Sequence, residues 1–167
     1  TIGAMVASPA NPTGTALSRP ELAALAAEVR SRTGYLLVDE IYHGLVYEGA
    51  APSVLEVGPD AFVINSFSKY FGMTGWRLGW LVAPEAAVAE MEKLAQNFFI
   101  SMSTMAQYAA LAGFEPGTRE ILEQRREIFR QRRDFLLPAV QELGFSVPCK
   151  PQGAFYIYAD ASRFTDD

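Results

Sequence analysis

Short apolar runs, separated by polar and turn-forming segments, dominate the first half of the chain. Apolar side chains fill nearly every position of Ala4–Ser8, Tyr35–Val38, Phe62–Ile64 and Leu78–Val82. Runs without polar alternation are typical of strands that helices cover on both faces. The pattern therefore predicts an α/β fold with a mostly parallel sheet and flanking helices.

The segment between the first two strands carries the signals of a helix. Ser18 is followed three residues later by Glu21, the capping-box pair that begins a helix. Gly34 stands where a C-terminal cap is expected. Apolar residues between them recur at helical spacing, at Leu22, Leu25, Ala26 and Val29.

Helical patterns dominate the second half of the chain. We expect helices over 84–96 and 103–112. A longer helix is predicted from about Thr118 towards Leu143, with a bend near Pro138 because proline lacks the backbone donor that a helix interior requires.

The pattern changes again after the long helix. Segments 145–150 and 155–159 flank a Pro151-Gln152-Gly153 turn and predict a hairpin. We therefore expect a domain over 1–116, followed over 117–167 by a linking helix and the beginning of a smaller domain that is incomplete in this chain.

Composition excludes several classes of function. Of the 167 residues, half are hydrophobic and a fifth are charged, which is enough for a substantial folded core. The net charge of −5 argues against a nucleic-acid partner held by bulk electrostatics. A single cysteine, Cys149, and a single histidine, His43, allow neither an intrachain disulfide nor a zinc cluster, and fit a reducing compartment. The apolar runs are too short to span a membrane.

Polar residues follow three of the predicted strands at the point where each strand ends. Asn11 lies just beyond the first strand, Asp39 at the end of the second and Ser66 at the end of the third. Ligands of open parallel sheets bind outside the carboxyl ends of the strands. We therefore expect these three side chains at one edge of the sheet, as parts of a binding site.

Lys69 is the candidate nucleophile of that site. The chain has two other lysines: Lys93 in a helix with charged neighbours, and Lys150 beside the turn. An amine that attacks a carbonyl must be unprotonated, so we expect burial or a nearby positive charge around it. The neighbouring Ser66 and Arg77 favour this interpretation over a surface-loop lysine.

Asp39 ends an apolar run, where a carboxylate is costly unless a cation pairs with it. A protonated pyridine nitrogen would be such a partner, and the pairing would keep the ring an electron sink. Tyr42 would fall nearby and could hydrogen-bond a ring oxygen, although simple packing is an alternative. The run also looks like a Walker B strand, but the chain contains no G-x-x-x-x-G-K-[ST] loop.

Arg77 offers a planar guanidinium suited to phosphate oxygens, and the Ser66 hydroxyl adds a donor. An arginine that merely opens an edge strand is the alternative. We expect a structural role for His43 and a core position for Phe98-Phe99 and Phe155-Tyr156. The amine, carboxylate, phenol, amide and guanidinium together are the set needed to hold pyridoxal phosphate.

These residues resemble the fold-type I pyridoxal-phosphate enzymes of the class I/II aminotransferase family. The resemblance runs from about residue 4 to residue 160, and its specificity lies in the combination of motifs. The motifs are Asn11-Pro12-Thr13-Gly14, Asp39-Glu40-Ile41-Tyr42, Ser66-Phe67-Ser68-Lys69 with Gly75-Trp76-Arg77, and Pro151-Gln152-Gly153-Ala154-Phe155-Tyr156.

The resemblance implies a role for each motif residue that faces the cofactor. Lys69 would be the Schiff-base lysine and would move the substrate's α-proton. Asp39 would pair with the pyridine nitrogen, and Asn11 and Tyr42 would hydrogen-bond the ring's hydroxyl oxygen. The implied reaction is amino-group transfer between an amino acid and a 2-oxo acid, carried out by a cytoplasmic homodimer.

The resemblance also implies how the chain relates to a whole enzyme. Ser66 and Arg77 would bind the cofactor phosphate, and 1–116 would be the C-terminal portion of the cofactor-binding large domain. Family members are longer at both ends, so we expect this chain to be a fragment that is inactive alone. The ring-stacking aromatic and the arginine for the substrate's α-carboxylate are expected outside it, and Arg163 matches no family motif.

Three alternatives stay open from the residues. A carbon–sulfur lyase or a decarboxylase of the same fold would keep the same ring-binding residues, although the Ser8–Gly14 segment looks more like an aminotransferase. An aminotransferase-like sensor domain of a transcription regulator often departs from the motif asparagine, and Asn11 is intact here. The last alternative is a structural fragment that binds neither cofactor nor substrate.

Overall fold

A four-stranded sheet forms the centre of the protein. The structure is a computed structural model that describes residues 2–49 and 51–165. The strands lie in chain order across the sheet; β1 pairs with β2 and β2 with β3 in parallel, whereas β3 and β4 are antiparallel. The predicted mostly parallel sheet is therefore confirmed. Its strands are β1 (Gly3–Ala7), β2 (Tyr35–Asp39), β3 (Phe62–Ser66) and β4 (Gly79–Val82).

Four α-helices accompany the sheet, and they match the predicted ones closely. The longest is continuous and contains Pro138 in its interior. Among the residues that the structure describes, no helix is both long enough and apolar enough to cross a membrane. The helices are α1 (Arg19–Ser31), α2 (Glu85–Phe98), α3 (Thr104–Leu111) and α4 (Pro116–Glu142).

The predicted capping box begins α1. The Glu21 carboxylate accepts hydrogen bonds from the backbone N of Ser18 at 2.7 Å and from its hydroxyl at 2.6 Å, and these bonds lower the pKa of Glu21. The predicted cap at the other end was wrong in position. Thr33 adopts the left-handed conformation, with φ of 51°, while the Gly34 amide donates to the carbonyl of Val29. A bond back to the last helical turn satisfies one of its orphan carbonyls.

One face of the sheet builds the main core. Leu22 and Ala26 of α1 pack there against buried residues of β2 and β3, including Val38 and Val63. On the opposite face Met5 is 74% exposed. All four residues of β4, whose side chains alternate between the two faces, are exposed as well. Among the described residues, helices therefore cover the two faces only in part.

The predicted hairpin after α4 was wrong in its detail. The structure pairs the two segments only at a single antiparallel bridge between Ser146 and Asp160. The turn itself is attached elsewhere, because Gly153 forms a bridge with Val46 in the loop after β2. Two-stranded hairpins are marginally stable by themselves, so contacts with other loops decide the conformation of this turn.

Candidate active site

The sheet register brings three predicted site segments to one edge. Ala7 at the end of β1 pairs with Asp39 at the end of β2, and Asp39 pairs in turn with Ile64 of β3. The pairing continues just past the strands, where the Ser8 amide donates to the carbonyl of Asp39 at 3.0 Å. The loops that follow β1, β2 and β3 therefore leave the sheet side by side, as expected from the strand pattern.

Lys69 lies in the loop after β3, beside two aromatic rings. Its Nζ is 5.8 Å from the ring centroid of Tyr42 and 5.8 Å from that of Phe155. No carboxylate pairs with it among the residues that the structure describes. By contrast, Lys93 is paired with Glu90 at 2.7 Å and Lys150 with Glu48 at 2.8 Å. Lys69 is thus the lysine whose amine is available to a ligand.

Asp39 occupies the last position of β2 and is partly buried. Its Oδ1 accepts a hydrogen bond from the backbone N of Ile41 at 2.9 Å, which holds the carboxylate in a tight turn. Within residues 2–49 and 51–165 it forms no ion pair. The second carboxylate oxygen therefore remains able to receive a donor from a ligand.

Tyr42 is buried against the same turn, with 3% of its surface exposed. Its hydroxyl lies 3.0 Å from the hydroxyl of Tyr156. Burial, reinforced by Tyr156 and by the charge of Asp39, raises the pKa of Tyr42 far above the ordinary range of a phenol. The side chain therefore stays protonated at neutral pH and keeps a hydrogen to donate.

Ser66 and Ser68 shape the loop that carries Lys69. The Ser66 Oγ accepts a hydrogen bond from the Ser68 amide at 3.0 Å, and it lies 2.9 Å from the Ser68 Oγ. It is also 3.0 Å from the carbonyl of Leu78, which precedes β4. The Ser66 hydroxyl therefore ties the lysine loop to the segment that contains Arg77.

Arg77 is exposed and adopts the left-handed backbone conformation, with φ of 53°. For a residue with a side chain this conformation costs about 1–2 kcal/mol, and such strain is concentrated at functional sites. Its Nη1 donates to the carbonyl of Thr74 at 3.0 Å, and no carboxylate contacts the guanidinium in the described ranges. Most of its donors are therefore free to bind an anion.

Asn11 lies at the tip of the loop after β1 and is exposed. The loop is closed at its base by two backbone hydrogen bonds of 2.8 Å, from Ala10 to Thr15 and from Gly14 to Ala10. No hydrogen bond of the Asn11 side chain is present among the described residues. The structure thus places Asn11 in a loop at the predicted sheet edge, without a hydrogen bond to the other predicted site residues in the described part of the chain.

His43 has a buried acidic partner behind the site. Its Nδ1 lies 3.3 Å from the Glu40 carboxylate, which also accepts from the Val54 amide at 2.8 Å and from the Ser53 hydroxyl at 3.1 Å. Burial lowers the pKa of His43, and the nearby Glu40 only partly offsets this effect. A neutral imidazole that joins two loops agrees with the structural role expected from the sequence.

Two aromatic residues of the site were missed by the sequence. Phe155 and Tyr156 were expected in the core, yet Phe155 is 42% exposed. Its ring contacts that of Tyr42 at a centroid distance of 5.5 Å, and Tyr156 hydrogen-bonds Tyr42 as described above. The glycine turn before them was the available signal, because glycines at turns permit close approach of distant backbone segments.

Nearly the whole chain matches one protein family and known sequences. The family model for aminotransferase class I and II matches residues 2–166. The chain is 41% identical over 167 residues to the valine–pyruvate aminotransferase of Mycobacterium tuberculosis, covering 99% of this chain and 43% of that protein. It is 38% identical over 157 residues to the (5-formylfuran-3-yl)methyl phosphate transaminase of Methanocaldococcus jannaschii, covering 92% of this chain and 41% of that protein.

Solved structures show the same likeness in three dimensions. An aminotransferase from Mycobacterium tuberculosis superposes with a TM-score of 0.95 at 41% identity over 99% of this chain and 43% of that one. The aspartate aminotransferase of Thermus thermophilus with maleate gives 0.94 at 36% identity over 100% of this chain and 44% of that one. The chain therefore spans about two fifths of the length of the proteins that it matches.

Proposed function

This chain belongs to the aminotransferase class I and II family, and we propose that the whole protein transfers an amino group between an amino acid and a 2-oxo acid. Lys69 carries the proposal, since its amine lies beside the rings of Tyr42 and Phe155 without an acidic partner in the described residues. Such an amine is available to a carbonyl ligand, as nucleophilic catalysis by lysine requires. The chain by itself supplies part of the site and is expected to be inactive alone.

The family depends on pyridoxal 5′-phosphate, and the charged groups of the site fit that cofactor. Among residues 2–49 and 51–165, Asp39 has no cationic partner, and neither Lys69 nor Arg77 has an acidic one. A ligand with a cationic ring nitrogen, a carbonyl carbon and a phosphate would complement each group in turn. This combination of charged groups supports cofactor binding more directly than any single motif.

When bound, pyridoxal phosphate supplies a carbonyl that receives the amino group and a ring that withdraws electrons from the substrate's α-carbon. Lys69 would hold the cofactor covalently through Nζ until the amine of the substrate displaces it. The freed amine would then act as the base that moves the proton at the substrate's α-carbon. The rings of Tyr42 and Phe155 both lie beside this amine, with their centroids 5.8 Å from Nζ.

Asp39 would hold the ring nitrogen in its protonated state. Its Oδ1 is already oriented by the Ile41 amide, so the carboxylate is positioned before any ligand arrives. A fixed, partly buried anion stabilises a cation more strongly than one in bulk water does, because the local dielectric response is weaker. The carboxylate thereby maintains the electron demand on which proton removal by Lys69 depends.

Tyr42 and Asn11 would bind the hydroxyl oxygen of the ring. Tyr42 is supported in this role by its burial and raised pKa, which keep its hydrogen available. Asn11 is supported by its place at the same sheet edge, on a loop closed by backbone hydrogen bonds. Together they would fix the rotation of the ring relative to Lys69.

Ser66 and Arg77 would bind the phosphate. Arg77 presents a largely unpaired guanidinium, whose fork of donors matches phosphate oxygens. The Ser66 hydroxyl lies in a tight turn with Ser68. Its hydrogen would rotate away from Ser68 to be donated to an anion. The Ser68 amide would still donate to the Ser66 Oγ and keep the phosphate and lysine sites in a constant relation.

The organisation of the whole protein follows from the same proposal. We assign 1–116 to the C-terminal portion of a cofactor-binding large domain, and 117–167 to a linking helix and the start of a small domain. We also propose a cytoplasmic homodimer that binds no nucleic acid and no membrane. The extensive exposed apolar surface, including Met5 and the residues of β4, supports further protein contacts in the whole molecule.

The decisive experiment is visible absorption spectroscopy of the full-length protein with pyridoxal 5′-phosphate, followed by borohydride reduction and peptide mapping. We expect a visible band and, after reduction, a label on Lys69. The variant Lys69→Ala should lose both, whereas Lys93→Ala, which removes an exposed ion-paired lysine, should keep them. A label on another lysine would contradict the assignment.

Dependence on a 2-oxo acid then separates transfer from lyase or decarboxylase chemistry. Valine with pyruvate and aspartate with a 2-oxo acid are the first pairs to test, because relatives carry those substrates in their names. Product formation should require both partners. Release of ammonia, thiol or carbon dioxide from the amino acid alone would contradict amino-group transfer.

A further inference from the structure

Two tyrosines that are distant in sequence share a hydrogen bond beside the site. The hydroxyls of Tyr42 and Tyr156 lie 3.0 Å apart although 114 positions separate them. Their rings meet edge to face, with centroids 6.0 Å apart at an interplanar angle of 80°. Tyr42 belongs to a buried cluster with Leu45 and Ala154, and the partly buried Tyr156 packs against that cluster. The contact therefore lies at the edge of a packed core.

Loops of the sheet edge hold the backbone that leads to Tyr156. The amides of Gln152 and Gly153 both donate to the carbonyl of Gly14, at 2.8 and 3.0 Å. The Ala154 amide donates to the carbonyl of Leu45 at 3.0 Å. Thus the loop that carries Asn11 and the segment after Tyr42 together position the residues just before Tyr156.

Gly153 makes this close docking possible. A Cβ atom at this position would lie 2.8 Å from the carbonyl oxygen of Leu45 and 2.9 Å from Cγ of Pro9. Neither neighbour is a flexible side-chain end, so a larger residue would force the turn away from both loops. The position of the Tyr156 hydroxyl therefore depends on a turn with little freedom to move.

A phenol has a single hydrogen to donate, and this limits how the pair can work. In the proposed function, Tyr42 donates its hydrogen to the ring oxygen of the cofactor. Its oxygen can then only accept a hydrogen from Tyr156. Among the described residues, no other side chain hydrogen-bonds the Tyr42 hydroxyl.

We propose that Tyr156 is a positioning residue that donates its hydroxyl hydrogen to Tyr42 and so directs the Tyr42 hydrogen to the cofactor's ring oxygen. The inference rests on the proposed function and adds a residue to it. A hydrogen bond received by Tyr42 polarises its O–H group and strengthens the bond that it donates. Tyr42 is buried, and among the described residues Tyr156 is the side chain that hydrogen-bonds its hydroxyl.

The test uses the full-length protein and the variant Tyr156→Phe, with Tyr158→Phe as the matched control because Tyr158 is 55% exposed. The dissociation constant for pyridoxal 5′-phosphate is measured by equilibrium titration. We expect Tyr156→Phe to weaken binding by about 3- to 10-fold, the effect of losing one hydrogen bond. Tyr158→Phe should bind as the wild type does.

A cofactor analogue distinguishes positioning from general destabilisation. If Tyr156 acts through Tyr42 on the ring hydroxyl, Tyr156→Phe should not weaken binding of 3-deoxypyridoxal 5′-phosphate, which lacks that hydroxyl. The effect should also vanish in a Tyr42→Phe background, as in a double-mutant cycle. An equal loss for both ligands, or in both backgrounds, would overturn the proposal.

A second variant covers the case in which Tyr156→Phe does not fold. Tyr156→His retains a ring nitrogen donor, so it should keep more of the affinity for pyridoxal phosphate than Tyr156→Leu does. Equal affinities of these two variants would contradict the proposal. Failure of the proposed function itself is distinguishable, because the wild-type protein would then show no borohydride-trapped label on Lys69.

Discussion

Arg133 on α4 and Glu48 in the loop after β2 form an ion pair at 3.0 Å across 85 positions of sequence. Arg133 also donates to the carbonyl of Pro151 at 2.8 Å, and Lys150 reaches the same glutamate at 2.8 Å. The Arg133 side chain is only 6% exposed, whereas that of Glu48 is 52% exposed. One buried guanidinium thereby joins the sheet edge, the long helix and the turn before Phe155.

Replacement of this arginine should destabilise the protein markedly. Arg133→Leu would leave the buried Pro151 carbonyl without its donor. It would also remove one of the two basic partners of Glu48 and leave Lys150. We expect a loss of about 2–4 kcal/mol in the free energy of unfolding, measured by urea titration. Arg125→Leu, which changes an exposed arginine of the same helix, should stay within about 0.5 kcal/mol of wild type. Similar losses in both variants would show that the buried contacts are unimportant.

Gly44 provides the space for the Tyr70 ring, next to Lys69. A Cβ at position 44 would overlap Cγ of Tyr70, so Gly44→Ala should cost about 1–3 kcal/mol by overpacking. The ring cannot easily move, since Tyr70 hydrogen-bonds Glu123 of α4 at 2.5 Å. Burial and this bond raise the pKa of Tyr70 to about 12. Thermal unfolding of the variant is the measurement.

Two further variants make the prediction for Gly44 specific. Gly117→Ala adds a methyl group where no atom lies within 4 Å, and it should leave stability unchanged or raise it by up to about 1 kcal/mol. Gly44→Ala combined with Tyr70→Leu should recover part of the lost stability, because the crowded ring is removed. Additive losses in the double variant would show that the clash is not the cause.

Asp39 should control the reaction rate more than the stability of the protein. Asp39→Asn retains an acceptor for the Ile41 amide but removes the charge that would hold the ring nitrogen protonated. We expect kcat/KM of the full-length enzyme to fall by about 10²–10³-fold. Asp60→Asn, at an exposed turn position, should not change it. An Asp39→Asn enzyme of normal activity would remove Asp39 from the cofactor site.

His43 should make stability fall as the solution becomes acidic. Burial lowers its pKa below the ordinary value of 6.5, so the unfolded chain binds a proton at a higher pH than the folded protein does. The neutral form of His43 therefore stabilises the folded protein fully above pH 6.5. This stabilisation is lost as the pH falls from 6.5 towards the lower pKa that His43 has in the folded protein. Urea unfolding midpoints measured across this range should fall with pH.

A neutral substitute for the imidazole should flatten this dependence. His43→Asn can still donate a hydrogen bond towards Glu40 but carries no titrating group. Its unfolding midpoint should change less between pH 7 and pH 5 than that of wild type, a range chosen around the ordinary histidine pKa of about 6.5. An unchanged slope would assign the pH dependence to other groups.

Local patterns predicted the elements of this fold well. All four strands and the helices were located within a few residues, because apolar runs, capping residues and prolines act over short distances. The capping box of Ser18 and Glu21 formed as expected. The cap at Gly34 was misplaced by one residue, since Thr33 takes the left-handed conformation instead. Polar residues after successive strands predicted one shared sheet edge, and the register places the ends of β1, β2 and β3 side by side.

Local sequence patterns could not predict the contacts between distant segments. Phe155 and Tyr156 were assigned to the core because an aromatic pair reads as apolar in any local window. Their true surroundings depend on the turn at Gly153, which docks on Gly14 and Leu45. Burial of one sheet face and exposure of Met5 on the other could not be distinguished either, because both faces are apolar in sequence.

The sequence by itself determined the order of strands and helices, the family, and the chemical groups available for a cofactor. These properties are encoded by neighbouring residues, whose conformations and motifs depend on local interactions. Tertiary structure alone decided that Tyr156 reaches Tyr42, that Arg133 pairs with Glu48, and that Lys69 lies beside two rings. Such contacts form only when packing of the whole chain offsets the entropy of bringing distant segments together.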